Sequence, residues 1–161
     1  MEVPLIAAAV FVVVVLILAR QRLLRPRRPP YRKVDSLLTA AERSFYGVLL
    51  KAVDGDTLVF AKVRLADVLW LPRDTRDRQA HHNRIISKHL DFVLCSRDTL
   101  APRLAIELDD SSHSRPARRE RDSFVDAALS AAGLPLLRVP VRRGYSPHDL
   151  GEMIWGLLTP L

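Results

Sequence analysis

The chain has 161 residues, with 25 Lys/Arg against 18 Asp/Glu, one cysteine, six glycines and eleven prolines. A single cysteine excludes an internal disulfide framework and a Cys-rich zinc site, and the lack of any periodic repeat excludes collagen and solenoid arrays. Seven of the basic residues lie between Arg20 and Lys33 and only Glu2 of the acids precedes Val34, so residues 34–161 carry 18 basic against 17 acidic groups. The pI near 10.3 therefore reports a short basic collar and does not mark the rest of the chain as a basic nucleic-acid binder.

Val3–Ala19 reads VPLIAAAVFVVVVLILA, seventeen residues without a charge. Such a run rises about 26 Å as a helix, at the short end of a membrane span. A cleaved signal needs a positive start and a small-x-small cleavage site. Here the start is Met1-Glu2-Val3-Pro4 and the run ends Ile17-Leu18-Ala19-Arg20, so an anchor is expected. The basic collar follows the span, which by the positive-inside rule puts residues 20–161 in the cytoplasm and the N-terminus outside. Three segments result: an anchor at 1–20, a basic Pro-rich linker at 21–36 and a domain at 37–161. Roughly 125 residues suffice for one core and not for two.

Thr39-Ala40-Ala41-Glu42 is a capping-box pattern that predicts a helix, ended by the turn Asp54-Gly55-Asp56. Thr57–Leu65 alternates Val59, Ala61, Val63 and Leu65, the pattern of a strand. Lys62 and Arg64 share its other face. Asp67–Ile86 is polar and irregular, expected as a loop, and His81-His82 falls in it. Leu90–Cys95 and Arg103–Asp109 read as two further strands joined by a turn at Arg97-Asp98-Thr99. Ser114-Arg115-Pro116 opens a second helix with the inner stripe Phe124, Ala127, Ala128 and Ala131, ended by Gly133. Leu136–Val141 is a fourth short strand. Ser146-Pro147 begins a final helix with Leu150, Met153, Ile154, Leu157 and Leu158 on one stripe. Helix, three strands, helix, strand, helix predicts an α/β layer with helices packed on a sheet.

The informative run is Ala105-Ile106-Glu107-Leu108-Asp109-Asp110-Ser111-Ser112-His113. Side chains alternate along a strand, so Glu107 and Asp109 share one face and Leu104, Ile106 and Leu108 the other. Two carboxylates on one face repel unless a cation neutralises them. Asp91 opens the neighbouring strand, where Asp is disfavoured. If the strands pair, Asp91 and Glu107 come within reach of one ion, and oxygen-only ligands suit Mg²⁺ or Mn²⁺ better than Zn²⁺. Asp110, Ser111, Ser112 and Ser114 read as turn and capping residues. Cys95 reads as a buried core thiol.

Glu42 on the first helix, Asp91 on one strand and Glu107-x-Asp109 on the next resemble the PD-(D/E)XK nuclease-like superfamily. More narrowly, LTAAERSFY, VRLADV, DFVL, AIELDDSSH, RRERD and AGLPLLRV resemble the bacterial family known as domain of unknown function 2726, over roughly residues 37–142. The E-x-D-x-x-x-H arrangement is similar to the very-short-patch-repair endonucleases. The resemblance implies a restriction-endonuclease-like αβββαβ core, here behind a transmembrane helix and followed by a C-terminal helix. It also implies Mg²⁺-dependent hydrolysis of DNA or RNA phosphodiesters. Asp91 and Glu107 would hold the metal and Glu42 would orient a ligand or water. Asp109 stands in the slot of the motif lysine, and Leu90 in that of its proline. Lys62 is expected as a surrogate lysine, with Lys88 the other candidate, and His113 as a general acid or base. Arg118, Arg119 and Arg64 are the expected nucleic-acid contacts, and Arg118 or Arg119 is also an ion-pair partner for Asp109. The alternative is a catalytically inactive, membrane-tethered module that binds nucleic acid or protein.

Overall fold

A computed structural model of the chain describes residues 2–23, 29–109 and 116–158, with the side chains of residues 2–6, 9, 23 and 116–121 not described. Two compact units result, Met1–Asp35 and Ser36–Leu161. The first contains one helix, α1 (Glu2–Leu23). Its side chains from Val10 to Leu18 are each between 46% and 69% exposed. Among the described residues, no helix is long and apolar enough to cross a membrane. Residues 3–6 and 9 of the expected span lie outside the described side chains.

The second unit runs α2 (Ala40–Ala52), β1 (Thr57–Arg64), α3 (Leu65–Val68), α4 (Arg78–Ile86), β2 (His89–Ser96), β3 (Pro102–Asp109), α5 (Pro116–Ala131), β4 (Leu136–Pro140) and α6 (Pro147–Leu158). The strands form one sheet in the order β1-β2-β3-β4. The first three are antiparallel, and β4 lies parallel to β3, as a connection through α5 allows. It is a mixed α/β fold, as expected.

α2 starts at the capping box: the Thr39 hydroxyl accepts from the Glu42 N–H while the Glu42 carboxylate accepts from the Thr39 N–H. Its buried residues Phe45 and Leu49 recur at i, i+4 and join Phe92, Leu94, Leu104, Ile106, Leu150 and Ile154 on one side of the sheet. The opposite side is covered by Leu65, Ile85, Val125 and Leu129, which meet Val93, Cys95 and Ala105. β2 is thus buried on both faces, which explains its unbroken apolar run from Phe92 to Cys95. Gly151 lets α6 lie close on α2, since a Cβ there would stand 3.3 Å from the Ala52 carbonyl oxygen.

Three expectations are corrected. Asp67–Ile86 is not a loop throughout: α3 ends in it at Val68 and α4 lies in it, with His81 and His82 on α4. α4 has no apolar period to announce it. It is pinned by the single buried side chain Ile85, and Asp77 before it is left-handed (φ 53) with no capping hydrogen bond, so both usual signals are missing. The buried face of α5 is Val125 and Leu129, whereas Ala127 and Ala131 are exposed. The helical period is kept, but its phase is set by the larger valine and leucine side chains and not by the alanines. Finally, the alternation of β1 is broken at Lys62, whose φ is 56. Val59 and Ala61 pack on the first cluster, but Val63 packs on the second.

Candidate active site

Lys62 lies between the paired positions Ala61–Phe92 and Val63–Leu90, so it stands opposite Asp91. Both strands change faces here. Leu90 packs with the second cluster although Phe92, two residues on, packs with the first. A left-handed non-glycine residue within a strand is costly and is found where surrounding structure enforces it. The Lys62 amine donates to Glu42 Oε1 at 2.5 Å and to Asp91 Oδ1 at 3.3 Å. Glu42 therefore has two functions, since its other oxygen closes the capping box of α2.

Asp91 Oδ2 accepts the backbone N–H of Leu108 at 3.0 Å. The β2–β3 pairing runs as far as Phe92–Ile106, and beyond it the Asp91 side chain replaces a backbone acceptor. Continuing that register by one residue sets Asp91 opposite Glu107. Glu107 is buried, at 8% exposure.

The second half of the cluster is organised by a residue the sequence reading did not select. Arg138 of β4 is in register with Glu107. Its Nη1 donates to Glu107 Oε2 at 3.0 Å and to Asp109 Oδ1 at 3.1 Å. Its Nη2 donates to Asp126 Oδ1 on α5 at 2.9 Å. The available signal is one arginine inside the apolar strand LLRVP, a position that requires an acidic partner across the sheet.

Glu42 and Asp91 share Lys62; Glu107, Asp109 and Asp126 share Arg138. Among the described residues, two cations thus bridge five carboxylates where the strands part. Burial raises the Glu42 carboxyl, but hydrogen bonds from Lys62 and Thr39 outweigh it and hold the group below its ordinary value. Burial likewise favours loss of the Lys62 proton, but Glu42 and Asp91 more than offset it and keep the amine charged. Arg138 is raised too, with burial opposed by Asp126, Glu107 and Asp109.

Of the expected site residues, Glu42, Lys62 and Asp91 come together, and Glu107 and Asp109 flank them through Leu108. Lys62 is not on a solvated face shared with Arg64: Arg64 is exposed and forms a local pair with Asp67 at 2.8 Å. Its position past the left-handed Lys62 turns it away from the strand's regular alternation. Lys88 instead donates to the Arg84 carbonyl at 2.6 Å. Asp109 pairs with Arg138. Asp110, Ser111, Ser112, His113 and Ser114 lie outside the described residues, as do the side chains of Arg118 and Arg119. Cys95 is a buried free thiol, pushed up by burial.

Carboxylate oxygens suit Mg²⁺ or Mn²⁺. Among the described residues, however, no group of three or more His, Cys, Asp or Glu is placed to hold a metal ion. The donor chemistry fits. A full set of protein ligands is not assembled there, and Mg²⁺ commonly needs only one or two carboxylates beside substrate phosphate and water.

Fold and site define a mixed α/β domain with a cation-bridged acidic cluster where the central strands separate. The chain belongs to the DUF2726 family, described as a protein of unknown function, whose model matches residues 34–157. No curated protein and no solved structure matches the chain.

Proposed function

We propose that the Ser36–Leu161 unit is a PD-(D/E)XK-like nuclease domain acting on phosphodiester bonds of DNA or RNA with Mg²⁺ or Mn²⁺. The observation that carries this reading is Lys62 bridging Glu42 and Asp91 beside the buried Glu107. A nuclease site needs carboxylates to hold a cation and a nearby ammonium to meet phosphate charge, and Lys62 supplies the second although Asp109 occupies the motif's lysine slot. Asp91 and Glu107 would hold the ion, which when bound favours ionised water and offsets phosphoryl charge. Lys62, kept charged by its two acids, donates to a phosphate oxygen. Glu42 fixes Lys62, Asp109 borders the site, and His113 would be the candidate general acid or base.

The anchor is part of the same proposal. Residues 3–19 would hold the chain in a bacterial inner membrane, with the domain on the cytoplasmic side. Exposed apolar side chains along Val10–Leu18 favour that environment over water.

A second reading, an inactive tethered module, is favoured by Arg138. Its guanidinium already occupies the space between Glu107 and Asp109. Calorimetric titration of Mg²⁺ and Mn²⁺ into the detergent-solubilised chain, beside Asp91→Ala, separates the two. Saturable binding lost in the variant, with cleavage of nucleic acid by the parent, supports the nuclease. Absence of both supports the inactive module.

A further inference from the structure

Phe124, Ala127, Ala128 and Ala131 of α5 floor an open groove of about 560 Å³, with Phe124 also packed against the second core cluster. Its other wall comes from the segment after β1 and includes Trp70, Arg84 and His81. Trp70 is 78% exposed, the most exposed large apolar side chain among the described residues of the second unit. An indole held in water beside an apolar floor is unusual for a packed domain.

The charge at this groove is one-sided. No acid lines it. The Arg84 guanidinium lies 4.1 Å from the Phe124 ring centre and the Lys88 amine 4.8 Å from it. Neither has a carboxylate partner among the described residues. Residues 73–88 hold five Lys/Arg against two Asp, and both neighbouring histidines. The matching occupant has a flat apolar face and a negative charge within a few ångströms of it. A nucleotide has both. A duplex hides its base faces, whereas a single strand offers them to an aromatic side chain.

We propose that this groove binds single-stranded nucleic acid, with a base stacked on Trp70 and the adjoining phosphates at Arg84 and His81. The wall leaves β1 after Arg64 and re-enters β2 at His89, and these two residues pair at the end of the β1–β2 ladder. That end lies two residues beyond Lys62 and two before Asp91, so the wall is attached next to the strands that carry the acidic cluster. What becomes of a bound single strand rests on the nuclease reading; the binding does not.

The test uses the whole chain in detergent with EDTA, carrying Trp155→Phe so that Trp70 is the sole indole. A single-stranded oligothymidylate of about twelve residues, within the usual site sizes, is expected to quench Trp70 saturably, and the matching duplex is expected to bind at least tenfold more weakly. With a labelled oligonucleotide, Trp70→Ala and Arg84→Ala each weaken binding about tenfold, and Trp70→Phe restores most of it. Arg84→Ala also lowers the salt slope of log K by about 0.7. No saturable quenching, undiminished binding by both alanine variants, or equal affinity for duplex overturns the proposal. So does quenching by phosphatidylglycerol-doped micelles alone, which would assign the groove to lipid. Oligonucleotide binding in EDTA without cleavage in Mg²⁺ leaves the groove standing and removes the nuclease reading. Cleavage without Trp70 quenching does the reverse.

Discussion

Lys62 faces Asp91 across the β1–β2 pair, its amine 3.3 Å from Asp91 Oδ1 and its own backbone left-handed at φ 56. The ion pairs and the strained backbone make opposite contributions to stability. Lys62→Ala removes the pairs and keeps the strain, at a cost of about 1–3 kcal/mol. Lys62→Gly removes both and is expected to be about 1 kcal/mol more stable than Lys62→Ala. Urea unfolding of the three proteins checks the order; alanine above glycine would mean that the left-handed turn is absent.

The same pair sets a pH dependence with a definite sign. Glu42 lies below its ordinary value near 4.5, so its contribution is complete above that value and is lost as pH falls through the lower folded value. Lys62 lies above its ordinary value near 10.5, so its contribution is complete below that value and is lost as pH rises through the higher folded value. Urea midpoints between about pH 6 and pH 2, the range that spans carboxylate titration, should fall less steeply in Glu42→Gln than in the parent. Parallel curves would remove Glu42 from the linkage.

Arg138 bridges three carboxylates. Arg138→Met is expected to lower stability by about 1–3 kcal/mol without divalent ions, and to enlarge the rise in Tm that Mg²⁺ produces, because uncompensated carboxylates attract a cation more strongly. A thermal scan with and without Mg²⁺ measures both effects, and an unchanged Mg²⁺ response would place ion binding elsewhere.

α5 offers a comparison of its two apolar stripes. Leu129 is fully buried, so Leu129→Ala should cost about 2–5 kcal/mol. Ala131 borders the groove, and Ala131→Ser should stay within about 0.5 kcal/mol. Equal costs in chemical denaturation would mean that both stripes are buried.

The proposed anchor predicts that the chain stays with membranes through alkaline carbonate extraction. Val12→Arg with Val15→Arg should move it to the soluble fraction, since each arginine at a span centre costs about 2.5–3.5 kcal/mol. Release of the parent chain would remove the anchor from the proposal.

Local chemistry makes much of the fold legible before any coordinates. Thr39 and Glu42 announce α2 because a capping box is written in four consecutive residues. Gly133 marks the end of α5, and its φ of 69 shows why glycine suits that place. Apolar runs identify β2, β3 and β4, since a strand needs only its own residues to display its period. Glu42, Asp91, Glu107 and Asp109 stand out by type and position, and Lys62 through the resemblance. α4 is not legible, because one buried isoleucine gives no period.

What the sequence determined by itself was the order of α2, the four strands, α5 and α6, and the residues suited to cation or phosphate chemistry, because propensity, capping and alternation act over a few neighbours. The tertiary structure decided the partners: Lys62 with Glu42 and Asp91, and Arg138 with Glu107, Asp109 and Asp126. It also decided which stripe of α5 meets the sheet and which is left as a groove. Those choices depend on strand register and on packing between residues far apart in the chain, and a charge selects its partner only after the sheet has brought the two together.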